Sequence, residues 1–366
     1  MTVPYRVTIV PRNGASSPIA VVVRSSRSAL DVATRPAVAP KPPSIDGLLE
    51  LARPDMAAID GLIRQHMESP VPVIPALADH LIAGSAKRLR PLLTVASARL
   101  AGARDDACLK LAAAVEFIHT ATLLHDDVVD SSQLRRGRVA AHLIWGAPSS
   151  VLVGDFLFAR AFELMVGARS MPALEILARA SRVIAEGEVL QLTRAHDLDL
   201  SQDVYLEIIK AKTAELFAAA AEAGAVSAGA SPERCKALRK FGQDLGLAFQ
   251  LVDDALDYSG ESETLGKNPG DDFREGKATL PLLLAMARTG SSEREFWIRT
   301  IDRRDQTEAD FQRARALMVQ TGALDSTLDL AATYAASAKA ALAEFPSNSW
   351  RPALEDLADF AVARRA

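Results

Sequence analysis

The sequence predicts an all-α protein, a single large helical bundle around a central cavity. Three observations carry that reading. From Ile45 onward, apolar residues recur at three- and four-residue spacing, and glycine and proline fall mainly between the periodic segments. Over the same stretch no run alternates apolar and polar residues as a half-buried strand would. Two acidic clusters, Asp126-Asp127-Val128-Val129-Asp130 and Asp253-Asp254-Ala255-Leu256-Asp257, each close a long helical pattern. Carboxylates on facing helices are how bundles build metal sites in their cores.

The bulk properties bound the rest. A chain of 366 residues with 49% hydrophobic and 24% charged residues can bury a sizeable core. A net charge of −4 argues against nucleic acid as the main partner. Cys108 and Cys235 stand far apart in no metal-like spacing, so they read as reduced structural thiols. No transmembrane segment is read: the stretch 139–154 comes nearest, and His142, Gly146 and Pro148 interrupt it.

Taken in order, residues 1–45 differ from everything after them. They carry Arg6, Arg12, Arg24, Arg27, Arg35 and Lys41 against one acid, Asp31, with several Pro, Ser and Val. They read as a disordered basic extension ending in a proline-rich linker. That places the protein in the cytoplasm, or in the mitochondrial matrix if the Arg- and Ser-rich start is a transit peptide. Residues 46–366 form the helical domain. Long helices are predicted over 105–130, 149–167, 172–194, 201–226 and 231–258, with more after Pro281. Ser231-Pro232-Glu233 supplies an N-cap hydroxyl, a proline at the first helical position and an acid near the positive end of the dipole.

Leu111, Val115, Ile118, Thr122, Asp126 and Asp130 step along one helical face. Carboxylates four apart on a helix sit about 5–6 Å from each other and repel when unpaired. One such cluster is ordinarily a solvated face. Here each copy follows an apolar stretch, 121–124 and 247–252, and the second lies 127 positions after the first (253 − 126). Hard divalent cations such as Mg²⁺ take oxygen ligands from a few carboxylates, water and substrate phosphates. Two facing acidic helix ends could hold several Mg²⁺ ions and a diphosphate.

These residues resemble the trans-isoprenyl diphosphate synthases, the polyprenyl synthetase family. Lys87-Arg88-Leu89-Arg90-Pro91, the run 116–130, Arg135-Arg136-Gly137, Gly154-Asp155 and Lys212-Thr213 all match it. So do the run 250–257, Gly266-Lys267-Asn268 and Glu275-Gly276-Lys277-Ala278-Thr279-Leu280-Pro281. The likeness covers roughly 46–366 in the family's order, and within the family it points to the octaprenyl and decaprenyl diphosphate synthases. It implies the isoprenoid synthase fold, a homodimer, and an enzyme that lengthens an allylic diphosphate by isopentenyl diphosphate. Asp126, Asp130 and Asp253 are then direct metal ligands, and Asp127, Asp254 and Asp257 act through water or outer contacts. The resemblance places Lys87, Arg90, His119 and Arg136 in the isopentenyl diphosphate pocket. It places Arg135, Lys212, Thr213, Gln250 and Lys267 in the allylic one. His125, beside the motif but off its face, is read as structural. Ser85-Ala86 stand where the family usually has two glycines, a departure that affects how closely the backbone can approach a ligand there.

Short-chain members of the family tend to carry an aromatic just before the first motif, closing the product tunnel. Ala121 and Thr122 are small, which points to a long product of octaprenyl or decaprenyl type, as for a quinone side chain. Phe158, Phe162 and Met165 are candidates for the tunnel floor. Two other readings stand beside this one: a short-chain farnesyl or geranylgeranyl diphosphate synthase, and a non-catalytic partner subunit. The second would ordinarily have lost one acidic motif.

Overall fold

The computed structural model describes residues 43–82, 88–135, 137–259 and 270–364. Lys87, Arg136, Lys267, the Ser85-Ala86 pair and the extension up to residue 42 lie outside the described residues. The chain from Pro42 onward is one compact unit. Its helices run α1 (Asp46–Met67), α2 (Val73–Ile82), α3 (Leu89–Ala101), α4 (Ala107–Val129), α5 (Ala141–Trp145), α6 (Ala147–Gly167), α7 (Met171–Thr193) and α8 (Gln202–Ile209). They continue with α9 (Glu215–Ser227), α10 (Pro232–Asp257), α11 (Asp271–Glu275), α12 (Leu280–Thr289), α13 (Arg294–Trp297), α14 (Glu308–Gln320), α15 (Ala323–Ala341) and α16 (Trp350–Ala363).

The helix starts follow their local chemistry. Ser170, Ser201 and Ser231 each accept a hydrogen bond from the backbone N–H three residues on, capping α7, α8 and α10. Proline follows in the first turn of α7 and α10, where no N–H is needed.

Helix α4 is the centre of the bundle. It is buried on nearly every side, as a helix that is apolar all round must be, and it packs on α3, α6 and α9. By length and hydropathy it could cross a membrane, yet 72% of that stretch is buried within the protein. The stretch nearest to a membrane span is therefore α4 and not 139–154, and core burial accounts for its apolarity. Helix α9 joins α3 and α10 to this core. A Cβ on Gly224 would lie 2.2 Å from the Thr94 carbonyl oxygen, so only glycine lets α9 and α3 approach this closely. Of two further apolar clusters, one gathers Tyr258, Phe273, Trp297 and Phe311 among the later helices, and the other joins Tyr205 and Ile209 of α8 and Leu247, Leu251 and Leu256 of α10 to Leu280, Leu283 and Ala331.

Two local features depart from the sequence reading. A two-residue-per-strand hairpin, Leu134–Arg135 with Arg138–Val139, follows α4. Strands that short carry no readable alternation. The helix predicted over 201–226 is broken at Lys210–Ala214, a π-helical turn between α8 and α9. Such turns recur at functional sites, and this one contains Lys212 and Thr213.

Candidate active site

Both acidic clusters sit at helix C-termini. Asp126 and Asp127 occupy the last turn of α4 with Asp130 as its C-cap, and Asp253, Asp254 and Asp257 close α10. The dipole there is negative, so carboxylates gain nothing from their own helices. Cations must come from elsewhere in the chain. Lys277 Nζ lies 3.1 Å from Asp130 Oδ2, Lys212 Nζ lies 3.9 Å from Asp126 Oδ2, and Arg364 Nη1 lies 2.9 Å from Asp253 Oδ1.

The two helix ends border one cavity of about 1200 Å³. Asp126, Asp130, Asp253, Asp254 and Asp257 line it, as do Arg90, His119, Thr122, Arg135, Lys212, Thr213 and Gln250. The predicted residues thus converge on one space, with two exceptions among the described ones. Asp127 is fully buried behind the wall, where its Oδ1 accepts from Arg135 Nε at 2.8 Å and from the same guanidinium's Nη2. It aims Arg135 at the cavity. Ala121 is likewise fully buried in the core beside the lining residue Thr122.

The described members of the two predicted diphosphate sets have different partners. Arg90 Nη1 lies 3.1 Å from His119 Nε2, and since arginine only donates, Nε2 accepts and the imidazole proton sits on Nδ1. The Arg90 guanidinium stacks over Phe217, 4.3 Å from its centroid. In the other set, Thr213 Oγ1 donates to Gln250 Oε1 at 2.9 Å, and Gln250 Nε2 donates to Asp254 Oδ1 at 2.7 Å. Lys212 is held by Glu188 at 2.7 Å. Gly187 makes that possible: a Cβ there would meet the Ala211 Cβ at 2.7 Å, so α7 lies tight against the π-helical turn.

Burial works against ionisation of Asp130, but Lys277 and Lys212 outweigh it and hold its carboxyl below the ordinary range. Asp126 goes the other way: burial pushes it up against the pull of Lys212, and Asp130 adds repulsion. Burial likewise pushes Glu188 up to about 6, with Lys212 opposing and Asp126 adding. Asp254 is pushed up to about 8 by burial and by Asp272. Lys277 is raised despite its burial, because Asp272, Asp130 and Glu275 surround it.

Sequence reasoning missed Glu188, Tyr205, Arg364 and the role of Lys277. Only Lys277 carried a signal, within the Glu275–Pro281 motif. Of the proposed tunnel-floor residues, Met165 is buried in the core and Phe158 stacks on His125 at 6.1 Å. Phe162 is 45% exposed on the outer face of α6, which corrects its assignment to an internal floor. The His125 Nε2 lies 3.1 Å from the Val151 carbonyl oxygen.

Helices closing around a cavity with an acid-rich helix end on either side define an all-α protein of the isoprenoid synthase type. A sequence profile described as polyprenyl synthetase matches residues 71–318. The octaprenyl diphosphate synthase of Escherichia coli K12 is 44% identical over 321 residues, which is 88% of this chain and 99% of that protein. A crystal structure of polyprenyl synthase from Caulobacter crescentus CB15, complexed with calcium and isoprenyl diphosphate, is 74% identical with a TM-score of 0.87, covering 89% of this chain and 99% of that one. A decaprenyl diphosphate synthase from Rhodobacter capsulatus is 51% identical with a TM-score of 0.84, over 88% and 100% of the two chains. The chain belongs to the polyprenyl synthetase family. It is a trans-prenyltransferase of the medium- to long-chain type.

Proposed function

We propose that the protein condenses isopentenyl diphosphate with an allylic diphosphate, repeatedly, to an all-trans product of octaprenyl to decaprenyl length suited to a quinone side chain. The observation that carries this reading is the pairing of two acid-rich helix ends with two cationic sets around one cavity. The hard step is departure of a diphosphate, and fixed positive charge aimed at the leaving oxygens stabilises it. Arg135 and Lys212 stand beside the first motif to do this, while Arg90 and His119 hold the second diphosphate.

Asp126, Asp130 and Asp253 offer the hard oxygen donors that suit Mg²⁺. Among the described residues no three acidic side chains converge on one point. The donor set therefore fits ions completed by substrate phosphate oxygens and water, as Mg²⁺ prefers. Such ions supply Lewis-acid assistance to the leaving group when bound. Calcium in the Caulobacter structure supports a divalent-cation requirement.

The side chain one turn below Asp126 on the cavity wall is Thr122, not an aromatic. That supports a long product. A homodimer accords with the outer face of α6, where Leu152, Phe162 and Val166 are exposed at helical spacing. Two free cysteines, Cys108 and Cys235, fit a reducing compartment such as the cytoplasm.

The test is product analysis of the purified protein with Mg²⁺, labelled isopentenyl diphosphate, and dimethylallyl, geranyl or farnesyl diphosphate in turn. A ladder ending between octaprenyl and decaprenyl is expected. A ladder ending at farnesyl or geranylgeranyl overturns the chain length. No product with any starter overturns the function and favours a partner subunit.

A further inference from the structure

Tyr205 stands outside both diphosphate sets, in the first half of α8, and is 3% exposed. Its hydroxyl donates to Asp254 Oδ2, while Gln250 Nε2 donates to Asp254 Oδ1 at 2.7 Å. Both oxygens of Asp254 are thus engaged by neighbouring side chains. That makes Asp254 an anchor within the second acidic motif, facing inward to Tyr205 and Gln250.

The chain of bonds has a direction. A carboxyl oxygen facing the Gln250 amide accepts, so the NH₂ of Gln250 must point to Asp254 and its carbonyl must point away. The direction follows from Asp254 accepting at both oxygens, from the Tyr205 hydroxyl at Oδ2 and from the Gln250 amide at Oδ1. The Gln250 carbonyl oxygen then receives the Thr213 hydroxyl at 2.9 Å. Thr213 thus commits its only proton to Gln250, and as a cavity-lining residue it has only lone pairs left to offer a ligand. A hydroxyl with the opposite polarity would point a positive hydrogen there instead.

We propose that Tyr205 is a positioning residue: by clamping Asp254 it fixes the Gln250 amide and hence the direction of the Thr213 hydroxyl. This rests on the prenyl-transfer reading above. The lone pairs so presented face the region where positive charge develops as the allylic diphosphate departs. Loss of the clamp lets the Asp254 carboxyl turn and the Gln250 amide flip. The cavity then meets a mixture of donor and acceptor at Thr213.

The test is a double-mutant cycle on the full chain, with Tyr205→Phe, Thr213→Val and the pair, read by kcat and by KM for each diphosphate. Wild-type turnover is the control; its absence would sink the prenyl-transfer reading and leave this question aside from it. With wild type active, Tyr205→Phe should lower kcat about tenfold with KM for isopentenyl diphosphate unchanged. In the Thr213→Val background it should have no further effect on kcat. Additive losses, or a Thr213→Val variant with full kcat, overturn the proposal. If Tyr205→Phe melts too low to assay, fluorotyrosine at position 205 keeps the shape and changes only hydroxyl acidity. It should move kcat in the Thr213 protein and not in the Thr213→Val variant; equal effects in both overturn the proposal.

Discussion

Lys277 Nζ lies 3.1 Å from Asp130 Oδ2, so the segment after α11 is tied across 147 residues of sequence to the end of α4. Lys277 also pairs with Glu275 at 2.5 Å. Together with Lys212 it holds the Asp130 carboxyl below its ordinary range, although burial and the helix C-terminus both oppose that charge. It also lines the cavity, as a fixed positive charge beside the site proposed for the leaving diphosphate. Lys277→Met keeps the length of the side chain and removes the charge. It should lower kcat by about 10²-fold, the scale seen on removing one preorganised electrostatic group. Steady-state turnover of labelled isopentenyl diphosphate checks this, and unchanged kcat would leave Lys277 as a structural tie only.

Metal removal should separate activity from folding. Lys212, Lys277 and Arg364 already stand against Asp126, Asp130 and Asp253, so the fold does not depend on an ion to relieve the repulsion between the carboxylates. A chelator should abolish product formation, Mg²⁺ should restore it, and the thermal midpoint should shift little between the two. A protein that unfolds on chelation would show that the side-chain cations are not enough.

The helices and both acidic motifs were legible because each is a local pattern. A 3.6-residue period, a serine before proline and two aspartates four apart all lie within one helix. What the pattern could not show was which distant side chains meet those aspartates. Glu188 reaches Lys212 from α7 because Gly187 permits the approach, and Arg364 reaches Asp253 from the chain's last turn while lying over Phe249. No spacing in the sequence encodes either meeting. The π-helical turn at Lys210–Ala214 was invisible for a related reason: one extra residue in a turn leaves the apolar period on either side intact.

Glu188 should leave a signature in the pH dependence of stability. Burial raises its carboxyl from 4.5 to about 6 in the folded protein, against the opposing Lys212. The folded state therefore holds this proton more tightly than the unfolded chain. The stability it contributes is fully present below pH 4.5 and is lost as pH rises through about 6. The loss is at most about 2 kcal/mol. Glu188→Gln has no such proton, so its unfolding free energy relative to wild type should rise across that window and level off above it. Urea denaturation at each end of the window measures the difference. A constant difference would mean that Glu188 ionises as freely in the folded protein as in the unfolded one.

The cavity wall below the first motif should set product length. Thr122 lies four residues before Asp126 on the same face of α4 and lines the cavity, with its Oγ1 donating to the His119 carbonyl at 2.8 Å. Thr122→Phe places a ring on that wall one turn below the Asp126 carboxylate. The growing chain would meet it after few additions, and the longest product should shorten while the first condensation proceeds at near its native rate. Ala121→Phe should also shorten the product, but through a different balance. Ala121 is fully buried, so its new ring must displace packed neighbours at a cost of about 1–3 kcal/mol or turn toward the cavity. A lower thermal midpoint should therefore accompany shortening in the Ala121 variant and be smaller in the Thr122 variant. Chromatography of the dephosphorylated products gives the lengths. Unchanged length in both variants would remove the tunnel beneath Asp126 from the explanation and leave chain length to be decided on another wall of the cavity.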